Sequence, residues 1–254
     1  MKKNLLALAF LVGLLTCCKS EDAPIKPVKP TDPGSINKEY MSRAETTLAK
    51  IFKYYWSDKV RMMFGSYPNT LGTPQEPSSP DYDSHAYLWG LGSVVSAFNA
   101  IVQNTDNVDF RMTYESRLKE TLLKYYNTTK EPMCFGCFVN PHDQRLYDDA
   151  IWVGIDLADL YSKTKDSWYL DYAKSVWNFV LSGKDDELGG GVYWDENAKD
   201  SKNTCSNAPA VVLALKLYQI TNEAAYLENG KDIYKWTKSK LQDPSDYLYW
   251  DCIK

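Results

Sequence analysis

From Ile36 onward, apolar residues return every three to four positions in segments of about 15 to 20 residues, and each segment closes on a cluster of Gly, Pro, Asn or Asp. That period puts one apolar stripe on each helix and turns it toward a shared core. The spacing predicts seven helices, over 37–57, 84–104, 108–126, 147–164, 167–182, 206–221 and 223–241, in a nearly all-α domain. One stretch departs from it. In GGGVYWDEN at 189–197, turn-forming glycines precede strand-favouring Val, Tyr and Trp, so a short β-hairpin is expected there.

The helices repeat as pairs. LYSKTKDSWYLDYAKSVWNF from Leu160 aligns with LYQITNEAAYLENGKDIYKW from Leu217, sharing Leu-Tyr, then Thr, then Tyr-Leu, at a period near 57 residues, long enough for two helices and their loops. A weaker copy runs from Phe98 and Thr105 through Phe110, Leu118, Leu122 and Tyr125. Each unit is a helical hairpin, and stacked hairpins form an open solenoid or, when the rotation closes, a toroid with an inner and an outer ring. Aromatic- and Gly-rich loops over 58–83, 127–146 and 184–204 favour the toroid, with the loops building a functional face. The stripe Tyr226, Ile233, Tyr234 and Trp236, and the Tyr247-Leu248-Tyr249-Trp250 run beyond it, are expected to lie exposed unless a further hairpin covers them.

Composition narrows the partners. The 254 residues are 44% apolar with a net charge of −4, and acids and lysines are scattered without a basic stripe, which argues against nucleic acid. The 19 tyrosines and 8 tryptophans exceed what a core needs, and their OH and NH groups are costly to bury unpaired, so many are expected along a cleft. At the N-terminus, MKKNLLALAFLVGLLTCC reads as a secretory signal over 1–17, its apolar run too short to span a membrane. Leu15-Thr16-Cys17-Cys18 resembles the bacterial lipobox, with Cys18 as the lipidated residue. Prolines 24, 27, 30 and 33 make 18–36 an extended spacer and leave 37–254 as the folded domain. The expectation is a monomeric exported lipoprotein, at the outer membrane and cell surface or in the periplasm, that touches membrane only through its lipid anchor. Cleavage to a free periplasmic protein is the alternative.

The candidate chemistry sits in RLYDDAIW at 145–152, where Asp148 and Asp149 open a helix. Acids at a helix start ordinarily serve the positive end of the dipole. Here Tyr147 and Trp152 bring sugar-stacking rings to the same turn, a long loop precedes the pair, and Asp156 continues its face. Two close carboxyl groups cannot both ionise freely, so one stays protonated and one anionic, the division of labour of a glycosidase. Neighbours on a helix point about 100° apart, which suits the separation of about 5 Å in a retaining enzyme better than the roughly 6.5 to 9.5 Å of an inverting one.

YDDAIW at 147–152, HAYLWGLGSVVSAFNA at 85–100, GGGVYWDEN at 189–197 and KNTCSNAPAVVLALKLY at 202–218 together resemble glycoside hydrolase family 76, the endo-α-1,6-mannanases. The resemblance runs from about residue 40 to the C-terminus. It implies an (α/α)6 toroid, no metal or other cofactor in the chemistry, and retaining hydrolysis of α-1,6-linked mannan or manno-oligosaccharides. By similarity Asp148 is the nucleophile and Asp149 the general acid/base. Two features depart from the family pattern: Ala150 stands where Asn is usual, and about seven helices are present where a closed (α/α)6 ring has twelve, so the toroid is expected to be incomplete in this chain.

In the matched motifs Trp194 offers a ring for pyranose stacking, and Asp195, Lys202, Asn203 and Asn207 offer groups for hydroxyls, with a helix N-cap as the competing role for Asn207. Trp89 is assigned to the core. Cys134-Phe135-Gly136-Cys137, with Cys205 and Cys252, lacks the second half-site of a zinc centre, so disulfides or free thiols are expected. His85 and His142 are far apart in sequence and give no histidine-based metal centre. The competing functions are a surface glycan-binding lipoprotein without turnover, an inactive truncated remnant of the hydrolase, and an αα-hairpin scaffold for protein partners.

Overall fold

The structure is a computed structural model that describes residues 33–68, 85–139 and 144–254. The signal segment, Cys17, Cys18, most of the Pro-rich spacer and His142 lie outside them. The chain divides into two compact units, Met1–Glu39 and Tyr40–Lys254. Helix α1, Pro33–Tyr55, starts inside the stretch read as spacer. Proline is at home in a first turn, where its missing N–H would have no partner.

In the second unit the helices are α2 (Leu88–Asn104), α3 (Val108–Tyr125), α4 (Tyr147–Thr164), α5 (Ser167–Ser182), α6 (Thr204–Thr221) and α7 (Ala224–Leu241). They form two layers. The inner helices α2, α4 and α6 pack side by side, and α3, α5 and α7 each return behind the helix they follow. This is the inner and outer arrangement of an α/α toroid.

The 57-residue repeat is a structural one: α4 and α6 start at Tyr147 and Thr204, and α5 and α7 start at Ser167 and Ala224. Both inner helices end on a left-handed residue, Lys165 (φ 61°) and Asn222 (φ 58°), whose N–H returns to the carbonyl of Tyr161 and Tyr218 respectively. Asp166 then caps α5 by accepting from the Trp168 N–H at 3.0 Å.

Helix α4 is buried along most of its length, at Ala150, Ile151, Leu160 and every position from Val153 through Ala158, because α2, α5 and α6 surround it. At Gly154 an added Cβ would lie 2.8 Å from Val176 Cγ1 of α5 and 3.1 Å from Leu213 of α6, so glycine sets how closely the layers approach. Of the stripe on α7, Tyr226, Ile233 and Trp236 are buried and only Tyr234 is exposed, which corrects the expectation of an uncovered face. Tyr226 packs on Trp177, and the Trp236 indole donates to the Leu188 carbonyl at 3.0 Å. The Tyr247–Trp250 run is exposed.

Among the described residues there are three two-stranded antiparallel ribbons: β1 (Trp56–Ser57) with β2 (Met62–Met63), β3 (Tyr126–Asn127) with β4 (Cys134–Phe135), and β5 (Lys202–Asn203) with β6 (Cys252–Ile253). The expected hairpin within 189–197 does not form. Gly189, Gly190 and Gly191 all take positive φ, and the residues after them bridge outward, Val192 to Lys184 and Asp195 to Leu146. The Asn207 carboxamide occupies the Val192 N–H and C=O at 2.7 and 2.8 Å, which removes the groups a return strand would need. No helix among the described residues is long and apolar enough to cross a membrane.

Candidate active site

Asp148 and Asp149 lie in the first turn of α4, after Leu146, whose extended backbone (φ −102°, ψ 135°) delivers the chain without a side-chain cap. The starts of the three inner helices are tied together there. The Leu88 N–H donates to the Cys137 carbonyl at 2.9 Å, the Cys137 N–H to the Gln144 carbonyl at 2.9 Å, and the Tyr147 N–H to the Trp194 carbonyl at 3.0 Å. From the start of α6, Cys205 belongs to the electrostatic surroundings of Asp148.

The two carboxyl groups have different surroundings. Burial raises the pKa of Asp148, but donors counter it: the Cys205 thiol, the backbone at 148 and 149, and the Trp194 indole, whose Nε1 lies 3.3 Å from Oδ2. Asp149 is pushed up to about 6, first by burial and then by the charge of Asp148, with the Cys137 thiol alone opposing. Both carboxyl groups are therefore raised, but donors oppose the rise at Asp148, while Asp149, beside the Asp148 charge, keeps its proton up to about pH 6. Such a difference between two neighbouring carboxyl groups can serve a nucleophile and a general acid/base.

Behind the pair, Arg145 locks the loop that carries Trp194. It is fully buried, and its guanidinium meets Glu196 at 2.5 and 2.8 Å and the carbonyls of Lys130 and Pro132 at 3.2 and 2.6 Å. Burial disfavours the Glu196 anion, but Arg145 and Lys130 outweigh it and hold its pKa below the ordinary value.

Several residues assigned to the substrate have other duties. Lys202 is fully buried, and its ammonium donates to Asp185 Oδ1 at 2.7 Å and to the carbonyls of Glu187 and Gly190 at 2.8 Å, pinning the glycine loop. Asn207 is buried, with its carboxamide spent on Val192 and the Asn203 carbonyl. Tyr147 is buried and stacked on Phe179 with ring centroids 4.3 Å apart, in space left open by Gly183. Asp195 is buried and accepts from the Asn197 N–H at 2.8 Å in a tight turn. For Lys202 and Asn207 the glycine loop offers unpaired backbone groups, and these side chains satisfy them.

Of the other residues expected at the substrate, Trp194 and Trp152 are 37% and 41% exposed, and the Asn203 Oδ1 is buried with no hydrogen-bond partner among the described residues. Trp89 is 56% exposed at the start of α2, not in the core, and it lines a cavity of about 850 Å³ with Tyr55, Phe64, His85 and Tyr87. The Asp pair is not part of that cavity. Cys134, Cys137, Cys205 and Cys252 are all free thiols, and no cluster of three or more His, Cys, Asp or Glu among the described residues is placed to hold a metal. The thiols beside the aspartates were not legible as site residues, because the C-x-x-C spacing pointed to pairing or metal.

Comparison with known proteins follows the same lines. The sequence pattern of Glycosyl hydrolase family 76 matches residues 39–254. The chain is 32% identical to a family 76 glycoside hydrolase from a bovine Bacteroides thetaiotaomicron strain, with a TM-score of 0.74 over 85% of this chain and 45% of that one. To the family 76 mannosidase of Bacteroides thetaiotaomicron VPI-5482 it is 28% identical, with a TM-score of 0.75 over 85% of this chain and 58% of the other. A third structure is an inactive variant of the α-1,6-mannanase of Salegentibacter sp. HEL1_6, with alanine in place of two consecutive aspartates, in complex with α-1,6-mannotetrose. It is 25% identical, with a TM-score of 0.63 over 85% of this chain and 56% of that one. The chain thus spans about half the length of these solved structures.

Proposed function

We propose, because this chain belongs to glycosyl hydrolase family 76, that it cleaves α-1,6-mannosidic bonds of a mannan backbone by a retaining, endo-acting mechanism. The observation that carries the reading is the divided environment of Asp148 and Asp149. Asp148, whose Oδ2 accepts from the Trp194 indole at 3.3 Å, attacks the anomeric carbon. Asp149, protonated below about pH 6, gives its proton to the departing glycosidic oxygen. Asp149, now a base, then activates the water that hydrolyses the glycosyl-enzyme ester. Trp152 and Trp194 flank the pair and supply faces for pyranose stacking. The Salegentibacter neighbour, inactive without its adjacent aspartates and holding an α-1,6-linked oligosaccharide, supports this substrate class. The N-terminal sequence supports export and anchoring through a lipidated Cys18, which acyl labelling and a Cys18→Ala variant test.

Reducing-sugar release from α-1,6-mannan tests the function. Asp148→Asn and Asp149→Asn are each expected to abolish release while glycan binding persists. An activated aryl mannoside needs no proton on its leaving group, so it should partly restore the first step in Asp149→Asn and not in Asp148→Asn. Near-wild-type release by either variant refutes the reading. Binding without turnover by the wild-type chain leaves a glycan-binding role in its place.

A further inference from the structure

The three inner helices begin in the same way. The first N–H of each donates to a carbonyl on the segment that follows the outer helix behind it: Leu88 to Cys137 at 2.9 Å, Tyr147 to Trp194 at 3.0 Å and Thr204 to Asp251 at 2.8 Å. Because α2 packs against α4 and α4 against α6, these anchored starts make three equivalent stations in a row. The residues one and two places beyond the anchored one are Trp89 and Gly90 on α2, Asp148 and Asp149 on α4, and Cys205 and Ser206 on α6. Where α4 carries its two acids, α2 therefore carries an exposed indole and a glycine.

Trp89 and Gly90 border the cavity of about 850 Å³ that Tyr55, Phe64, His85 and Tyr87 also line, a size within the roughly 300 to 1,000 Å³ of small-molecule sites. Gly90 keeps it open: an added Cβ would meet nothing closer than the Ala86 Cβ at 4.0 Å. Strand β2 fixes another wall, since the Ala86 N–H donates to the Met63 carbonyl at 3.0 Å and the Phe64 ring stacks on His85 with centroids 6.1 Å apart. None of the described residues lining the cavity is Asp, Glu, Lys or Arg. Burial, and then the charge of Lys124, hold the His85 imidazole below its ordinary pKa, so it is uncharged at neutral pH. A charged ligand finds no counter-charge there. Indole and phenol rings with polar edges suit a neutral ligand that has both an apolar face and hydroxyl groups, and a pyranose is such a ligand.

We propose that this cavity is a sugar subsite, with Trp89 as its stacking platform and Gly90 leaving room for the ring, and that it holds a mannosyl unit of the same chain whose bond is cleaved at Asp148 and Asp149. The assignment rests on the reading of the protein as a mannan hydrolase. Packed neighbouring helices lie about 8 to 10 Å apart, so the stations on α2 and α4 are within reach of one short oligosaccharide. A length preference follows, because contacts at Trp89 are made only by a substrate that extends that far from the cleaved bond, and their binding energy can then serve the reaction there.

The test reads binding and turnover separately in the full chain. Calorimetric titration of α-1,6-mannotetrose into protein carrying Asp148→Asn and Asp149→Asn measures affinity without hydrolysis. In the active chain, the ratio of kcat/KM on the tetrasaccharide to that on an activated aryl mannoside measures length preference. Adding Trp89→Ala is expected to weaken tetrasaccharide binding about fivefold to tenfold and to lower that ratio by a similar factor. Gly90→Leu fills the cavity and is expected to do the same. Leucine is a better helix former than glycine, so the melting temperature of Gly90→Leu should not fall, which separates a blocked site from a damaged fold. Affinity and ratio unchanged in both variants overturn the subsite and leave the cleavage reading in place. Equal losses on the tetrasaccharide and the aryl mannoside also overturn it, as does absence of tetrasaccharide binding to the inactive chain. Absence of mannan hydrolysis by the wild type, with tetrasaccharide binding still dependent on Trp89 and Gly90, would overturn the hydrolase reading and leave the sugar site standing.

Discussion

Asp149→Asn should make this protein more stable at neutral pH, by an amount that depends on pH in a calculable way. Burial and the Asp148 charge raise the Asp149 carboxyl from an ordinary 3.8 to about 6. Between those values the folded state still holds the proton that the unfolded state has released, so wild-type stability falls as pH rises through this window. The shift of roughly two units corresponds to about 3 kcal/mol, present below the lower value and lost above the upper one. Asparagine keeps the volume and does not titrate. The stability difference between variant and wild type should therefore grow by about 3 kcal/mol from pH ~4 to pH ~8, or about 6 to 12 °C in Tm for a chain of this size. Guanidinium unfolding of both proteins across that range measures it. A difference that stays flat between those pH values would refute the electrostatic account of the pair. The gain also has a direct meaning: a carboxylate buried beside a like charge is destabilising, a cost that the proposed catalytic role accounts for.

Other substitutions probe the supports. Arg145→Ala should cost about 3 to 5 kcal/mol, because it strands buried Glu196 and two carbonyls. Adding Glu196→Gln should recover part of that loss in a double-mutant cycle, and a single-variant loss under ~1 kcal/mol would show that the buried fork is not what holds the loop. Lys202→Met should lower the unfolding midpoint by a similar amount with KM unchanged, and the reverse outcome would return Lys202 to the substrate. Trp194→Phe removes the indole donor 3.3 Å from Asp148 and should reduce kcat/KM about tenfold while raising the acidic limb, which a pH–rate profile reads. Gly154→Ala places a methyl 2.8 Å from stiff Val176, so calorimetry should show a loss of about 1 to 3 kcal/mol.

The sequence alone determined the helices, their pairing at a 57-residue period, and the presence of two adjacent acids at a helix start, because all three are local. Periodicity records which face of a segment is apolar, and caps and glycines record where it stops. Only the tertiary structure decided which polar side chains were still available to a substrate. Lys202, Asn207 and Tyr147 were fair candidates until the glycine loop and Phe179 claimed them, and the fold's own backbone groups took their donors and acceptors. The hairpin at 189–197 failed for the same reason, since Asn207 satisfies Val192 from 15 residues away. Hydrogen bonds between distant segments leave no period in the sequence. Each is set by which groups burial brings within about 3 Å of one another, and that is fixed only when the layers pack.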